Sequence, residues 1–261
     1  MCPPRNATPI VSGATESAFR RELRRRQRPY RLAPTILTLA LTTGASLLAI
    51  AVSAIVLPVL LPSFGSISTP SSPARLCTGI AVYAAATVVV FRRLPSLARR
   101  SKRELGLCRP PPEALAAALG ATVVLFGIEA VALGPYLMLV HATGHVQAGF
   151  ERYAPQGWVA NLLGFVSIAV AAPLAEELVF RAVIFNALAV RLRTAWAATG
   201  SGLIFSFCHG DFVLLPFLTL DGIALALVYR YTRNLYATML VHGLGNVIVV
   251  GAELTRLRNP A

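Results

Sequence analysis

The chain reads as an all-α, polytopic membrane bundle of seven to eight helices, and three observations lead there. Hydrophobic residues make up 56% of its 261 positions and charged residues only 13%, against about 45–50% and 25% in a soluble domain. The apolar residues gather in long runs, several close to or beyond the roughly 20 residues that cross a bilayer as a helix. Short basic or Pro/Gly/Ser-rich stretches separate the runs, and no alternating strand pattern competes with them. A soluble fold of this length could not hide so much apolar surface.

In chain order, residues 1–33 form a polar arm rich in arginine (Arg20, Arg21, Arg24, Arg25, Arg26, Arg28, Arg31). A first span covers roughly 34–61. A Pro/Ser-rich loop from Pro62 to Pro73 leads to a second span, from about Leu76 to Phe91. The densest interior basic cluster follows: Arg92, Arg93, Arg99, Arg100, Lys102, Arg103 and Arg109. Two spans lie between the two basic segments, so both fall on one side. The excess of arginine makes that side cytoplasmic, with the amino terminus. A third span near 114–140 leads outward to a loop holding His141, His145, Glu151 and Arg152. The run from Trp158 to Leu192 is too long for one straight crossing, and Pro173 within it is expected to kink or break the helix. Trp196–Cys208, Phe212–Tyr229 and Leu235–Glu253 complete the bundle. The organisation is an arm (1–33), a first transmembrane group with its basic loop (34–156), a second transmembrane domain (157–252) and a short polar tail (253–261).

The net charge of +13, from 24 basic and 11 acidic residues, belongs to this topology. The arginines flank apolar runs and are not interleaved with the aromatics that would stack on bases, which argues against nucleic acid. Cys2, Cys77, Cys108 and Cys208 show no CxxC spacing; neither a zinc ribbon nor a disulfide framework is legible in them. The first apolar run begins only near Pro34, exceeds a signal h-region and is read as a retained span.

Charged groups inside a span cost about 2.5–3.5 kcal/mol each at the helix centre, so they mark where function is to be sought. Ala172-Pro-Leu-Ala-Glu-Glu-Leu-Val-Phe-Arg181 holds Glu176, Glu177 and Arg181 in apolar sequence. Glu177 and Arg181 stand at i,i+4 and share a helix face, while Glu176 is turned about 100° away. A carboxylate with no partner on its own helix suits a general base in a watered cavity. Phe205-Ser-Phe-Cys-His209 ends a short span with an imidazole. His242-Gly-Leu-Gly-Asn246 sets an imidazole and an amide on one face of the last helix; such a pair can bind a neighbouring helix or face an oxyanion. At about 1.5 Å per residue from the nearest cytoplasmic boundary, Glu176 and His209 lie about 20 Å deep, His242 about 11 Å and Asn246 about 17 Å. The three segments overlap in depth within one or two turns.

The ordered set Glu-Glu-x-x-x-Arg, Phe-x-x-x-His and His-x-x-x-Asn, each on its own apolar helix and set in "APLAEELVFRA" and "TRNLYATMLVHGLGN", resembles the CPBP family. This is the CAAX prenyl protease type II and bacteriocin-processing (Abi) group of intramembrane glutamic proteases. The resemblance spans about 157–252, and Ala182 stands where that family often has glycine. It implies an intramembrane endopeptidase in which Glu176 with His209 activates water, His242 and Asn246 steady the oxyanion, and Glu177, Arg181 and Phe205 support the site. The implied substrate is a membrane-associated protein or peptide, with no cofactor.

Three alternatives stand beside this reading. Glu176, His209 and His242 are acceptable zinc ligands, although no His-Glu-x-x-His motif is present. A non-catalytic immunity or scaffold protein could retain the motifs. A transporter with an intramembrane charge site is disfavoured by the lack of inverted repeats. The Arg-over-Lys and Ala-rich composition points to a bacterial plasma membrane. Other polar residues receive blander readings: His141 and His145 as loop residues, Cys208 as packing, Asp211 as a cap. Asp221 is unassigned, and Glu129 is a second candidate to line a cavity.

Overall fold

The computed structural model describes residues 32–69, 72–98, 106–143, 145 and 157–258. The arm before Leu32, Arg99, Arg100, Lys102 and Arg103 of the basic cluster, the loop residues Glu151 and Arg152, and residues 259–261 lie outside the described residues.

Seven helices are present among the described residues: α1 (Leu32–Leu60), α2 (Pro73–Ala98), α3 (Pro112–Leu139), α4 (Trp158–Ala189), α5 (Thr194–His209), α6 (Leu215–Thr232) and α7 (Leu235–Arg258). By length and composition α1, α2 over Pro73–Arg93, α3 and α4 can each cross a membrane, and α7 carries a shorter apolar stretch, Leu235–Gly251. On α1, Leu47, Leu48, Ile55 and Val59 are exposed, which suits a helix whose neighbour is lipid.

Local chemistry sets the helix ends. Ser72 precedes α2 and its hydroxyl accepts from the Arg75 amide at 3.2 Å, an N-cap bond. Pro112 opens α3 with Glu113 in its first turn, where a missing N–H costs nothing and a negative charge meets the positive end of the helix dipole. Gly210, at φ 70°, closes α5 in the left-handed conformation that glycine adopts without strain. Asp211 then accepts from the Val213 and Leu214 amides at 3.1 and 3.0 Å, so this carboxylate shapes the turn into α6.

Pro173 does not break α4. The helix is continuous and changes register around it: Val166–Ala171 and Glu177–Phe185 are π-helical, with a short α segment, Ala172–Glu176, between them. A wider turn gives the proline ring room against the preceding carbonyls. Among the described residues the count is seven, within the seven to eight expected.

The chain divides into two compact units, each discontinuous in sequence. One holds Met1–Ala40, Val90–Ala121 and Glu177–Thr238; the other holds Leu41–Val89, Thr122–Glu176 and Met239–Ala261. In the first unit, α5 and α6 meet backbone to backbone. A Cβ on Gly202 would stand 2.8 Å from the Thr219 carbonyl, and one on Gly222 would stand 2.6 Å from the Gly202 Cα. Small residues allow such an approach where lipid supplies no hydrophobic drive. Phe180, Ile184 and Phe205 form the apolar cluster beside them, and the Ser201 hydroxyl donates to the Phe180 carbonyl at 3.2 Å.

The same unit ties the 106–108 segment to the start of α7. Asn234 caps α7 by accepting from the Ala237 amide at 2.9 Å, and its Nδ2 donates to the Cys108 carbonyl at 2.8 Å. The Leu235 amide donates to the Gly106 carbonyl at 2.9 Å. Gly106 has φ 82°, and a Cβ there would meet the Arg233–Leu235 backbone at 2.5–2.9 Å. Cys108 is disulfide-bonded, a correction to the expectation that the cysteines hold no disulfide; cysteine spacing alone does not reveal a pairing.

Asn234→Ala is expected to cost about 2–3 kcal/mol, combining a lost cap with a buried carbonyl left without its donor. Thermal melting of the purified protein in detergent checks it, and a variant melting with the wild type would contradict this role.

Candidate functional site

The first unit holds four of the polar or aromatic residues that the motifs single out. Glu177 and Arg181 form an ion pair at 2.9 Å with both side chains at 0% exposure. Arg181 also donates from Nη2 to the Gly222 carbonyl at 3.4 Å, and its guanidinium lies 5.0 Å from the ring centre of Phe205 and 5.9 Å from that of Phe180. A planar, weakly hydrated cation sandwiched by rings and a carboxylate is well suited to a dry interior. Phe205 further meets Phe180 edge to face at 5.1 Å. The pair thereby ties α4 to the α5–α6 crossing at its closest point, Gly222.

His209 ends α5. Its Nδ1 lies 2.8 Å from the Phe205 carbonyl, and its ring contacts the Phe205 ring at 4.4 Å. A carbonyl only accepts, so Nδ1 is the donor and carries the proton. In the neutral ring, Nε2 then holds the free lone pair. Cys208 beside it is exposed and not disulfide-bonded.

The second unit brings together the others. Glu176, on α4, lies 3.7 Å from His242 on α7, measured from Oε2 to Nε2, with side-chain exposures of 15% and 9%. That separation exceeds a hydrogen bond, yet catalytic contacts are often long before substrate arrives. Glu176 Oε2 is buried and has no hydrogen-bond partner. Tyr83 of α2 hydrogen-bonds the same carboxylate. Asn246, one turn beyond His242, donates from Nδ2 to the Ile168 carbonyl of α4 at 2.8 Å. The acid that lacks a partner on its own helix thus finds its neighbours on two others.

Tyr83 is the site residue that sequence reasoning missed. It lies outside the motif-bearing region, on a helix with no charge in its apolar middle. The one available signal was its phenol inside a span, Gly79 to Phe91, whose other residues are apolar except Thr87. Gly79, one turn before it, comes so close to α4 that a Cβ would stand 3.2 Å from the Ser167 hydroxyl, which explains how α2 reaches Glu176. Asp221 and Glu129 are partly buried and lie on α6 and α3. Among the described residues, no group of three or more His, Cys, Asp or Glu side chains is placed to hold a metal ion.

Comparison with known proteins bears on the same segment. Residues 157–248 match the family described as type II CAAX prenyl endopeptidase, Rce1-like. The chain is 39% identical over 102 residues to the membrane-embedded CAAX protease MroQ of Staphylococcus aureus (strain USA300), covering 37% of this chain and 39% of that one. It is 32% identical over 87 residues to YdiL of Bacillus subtilis (strain 168), named as a membrane peptidase, covering 33% of this chain and 36% of the relative. The chain therefore spans well under half the length of these relatives. No solved structure matches it. These matches support the CPBP family as the one that the three motifs indicate, and with the four long apolar helices they make this an integral membrane protein.

Breaking a buried ion pair leaves an uncompensated charge, at a cost of about 3–5 kcal/mol. Glu177→Gln and Arg181→Met are each expected to lower the melting temperature or folded yield. The double variant is expected to lose less than the two singles summed, because it leaves no lone charge. Strictly additive losses would show that the two side chains do not act as a pair.

Proposed function

We propose that the chain is an intramembrane endopeptidase, on the premise that residues 157–248 match the Rce1-like type II CAAX prenyl endopeptidase family. It hydrolyses a peptide bond of a membrane-associated protein or peptide. The observation that carries this reading is the Glu176–His242 pair, whose buried Oε2 has no hydrogen-bond partner of its own. A structural acid within a span would be expected to have its charge compensated by a cation, as Arg181 does for Glu177 at 2.9 Å. An acid meant to receive a proton from water keeps a lone pair available.

In the proposed reaction, Glu176 takes a proton from water as the oxygen attacks the scissile carbonyl. The tetrahedral oxyanion is held by hydrogen-bond donors, with His242 beside the carboxylate as the first of them. The protonated Glu176 then passes its proton to the leaving amine, which restores the carboxylate. The family resemblance gives His209 a share in activating the water, and a lone pair on Nε2 suits that task. It also places Asn246 at the oxyanion; one of its two amide N–H groups is given to Ile168, which leaves the second. Glu177 and Arg181 hold the helix that carries Glu176. No metal takes part, because a carboxylate with an imidazole can activate water unaided. The enzyme sits in a bacterial plasma membrane with its basic arm cytoplasmic, a placement that rests on the arginine distribution.

Glu176→Gln is expected to remove turnover while leaving the melting temperature within a few degrees of wild type, since glutamine keeps the shape and loses the base. Wild-type rates from this variant would remove Glu176 from the mechanism. Zinc chelation is expected to leave the wild-type rate unchanged; a loss reversed by added zinc would favour a metalloprotease. Cysteine-accessibility labelling is expected to find residues on either side of α1–α2, in the arm and near Arg109, on the cytoplasmic face. Finding either outside would invert the topology.

A further inference from the structure

Glu176 and His242 both belong to the segment that matches the family, residues 157–248. The third group at the carboxylate does not. Tyr83 stands on α2, well before that segment, and its phenol hydrogen-bonds Glu176. A close helix contact brings α2 there. Gly79 lies one turn before Tyr83 on the same face, and a Cβ on it would stand 3.2 Å from the Ser167 hydroxyl of α4. A longer side chain at 79 would hold α2 off α4 and the phenol off the acid.

A carboxylate only accepts, so the phenol donates its single proton. Glu176 Oε2 is buried without a hydrogen-bond partner and faces His242 Nε2 at 3.7 Å. The phenol's bond therefore falls on Oε1. The end torsion of a glutamate is broad and roughly two-fold, so a carboxylate held by nothing turns and presents either oxygen. One donor on Oε1 stops that rotation and keeps Oε2 toward the imidazole. A guanidinium in the same place could engage both oxygens at once; a phenol engages one. The bond also outlasts proton transfer, because an acid protonated on Oε2 still accepts at Oε1. We propose that Tyr83 is a positioning residue: by holding Oε1 it makes Oε2 the oxygen that takes the proton from water. In this way α2 completes a site whose reacting groups lie in the second transmembrane domain. The hydrogen bond stands on geometry; its kinetic consequence rests on the peptidase reading.

The test compares the wild type with Tyr83→Phe, which keeps the ring and loses only the hydroxyl. kcat, KM and the infrared carboxylate bands are measured, and the Glu176 band is identified as the one lost in Glu176→Gln. In Tyr83→Phe, kcat is expected to fall about tenfold, as for the loss of one hydrogen bond to a charged group. KM is expected to stay within about twofold, because the phenol touches the acid and not the substrate. The Glu176 band is expected to shift. Thr87→Val is the control: it removes another buried hydroxyl from α2, one turn on, and that hydroxyl has no hydrogen-bond partner. The control is expected to keep the wild-type kcat and band. A raised KM at unchanged kcat would put the phenol on the substrate and overturn the proposal. So would a wild-type kcat from Tyr83→Phe, an unmoved Glu176 band, or an equal loss from Thr87→Val. If Tyr83→Phe yields no folded protein, the tyrosine bands of the wild type and Glu176→Gln decide in its place. They are expected to differ, because an amide replaces the carboxylate as the phenol's acceptor, and identical bands would overturn the contact. If the wild type cleaves no membrane peptide, the peptidase reading fails, while the carboxylate band still decides whether Tyr83 holds Glu176.

Discussion

An ionised side chain within a bilayer must be matched by an opposite charge, by polar groups or by water. The centre of α4 meets that demand differently at two successive residues. Glu177 is neutralised by Arg181 at 2.9 Å in a fully buried pair, and the arginine in turn reaches the backbone of α6 and the ring of Phe205. Glu176 has an imidazole at 3.7 Å, a phenol bonded to its carboxylate, and one buried oxygen left over. The acid paired with a guanidinium anchors the helix. The acid that faces an imidazole and not a guanidinium is the one proposed to do chemistry.

The helices are arranged so that this difference can be kept. Glycines at 202 and 222 let α5 and α6 touch, which brings the Gly222 carbonyl to Arg181. In the other unit, Gly79 and Gly243 play the same part for α2 and α7, delivering Tyr83 and His242 toward one carboxylate. Without a hydrophobic drive between helices in lipid, close backbone contact and polar bonds carry the packing. The polar groups on show at the site are thus also those that hold its helices together.

Much of this was legible in the sequence, because a membrane enforces strict rules. Apolar run length marked the seven helices to within a few residues at most ends, and the i,i+4 spacing put Glu177 and Arg181 on one face. What escaped notice depends on contacts between segments remote in sequence. Nothing local tells that Tyr83 reaches Glu176, that Cys108 is disulfide-bonded, or that Asn234 spans from the start of α7 to residue 108. Pro173 was expected to kink or break the helix because an α-helix tolerates an interior proline poorly. The register shift that absorbs it lies in α4 itself, and the Ile168 carbonyl just before it accepts from Asn246 of α7, remote in sequence. The same blindness applies to Glu176 itself: the sequence shows that it lacks a partner on its own helix, and only the fold shows His242 beside it.

The central claim is that Glu176 acts on water and not on the substrate directly. Single-turnover cleavage of a membrane peptide in H₂¹⁸O, followed by mass spectrometry of product and enzyme, separates the two. Attack by an activated water places one ¹⁸O in the new carboxyl group of the product and none in Glu176. An unlabelled product together with ¹⁸O in the Glu176 carboxyl would mean that the glutamate itself attacks the carbonyl, and would contradict the account.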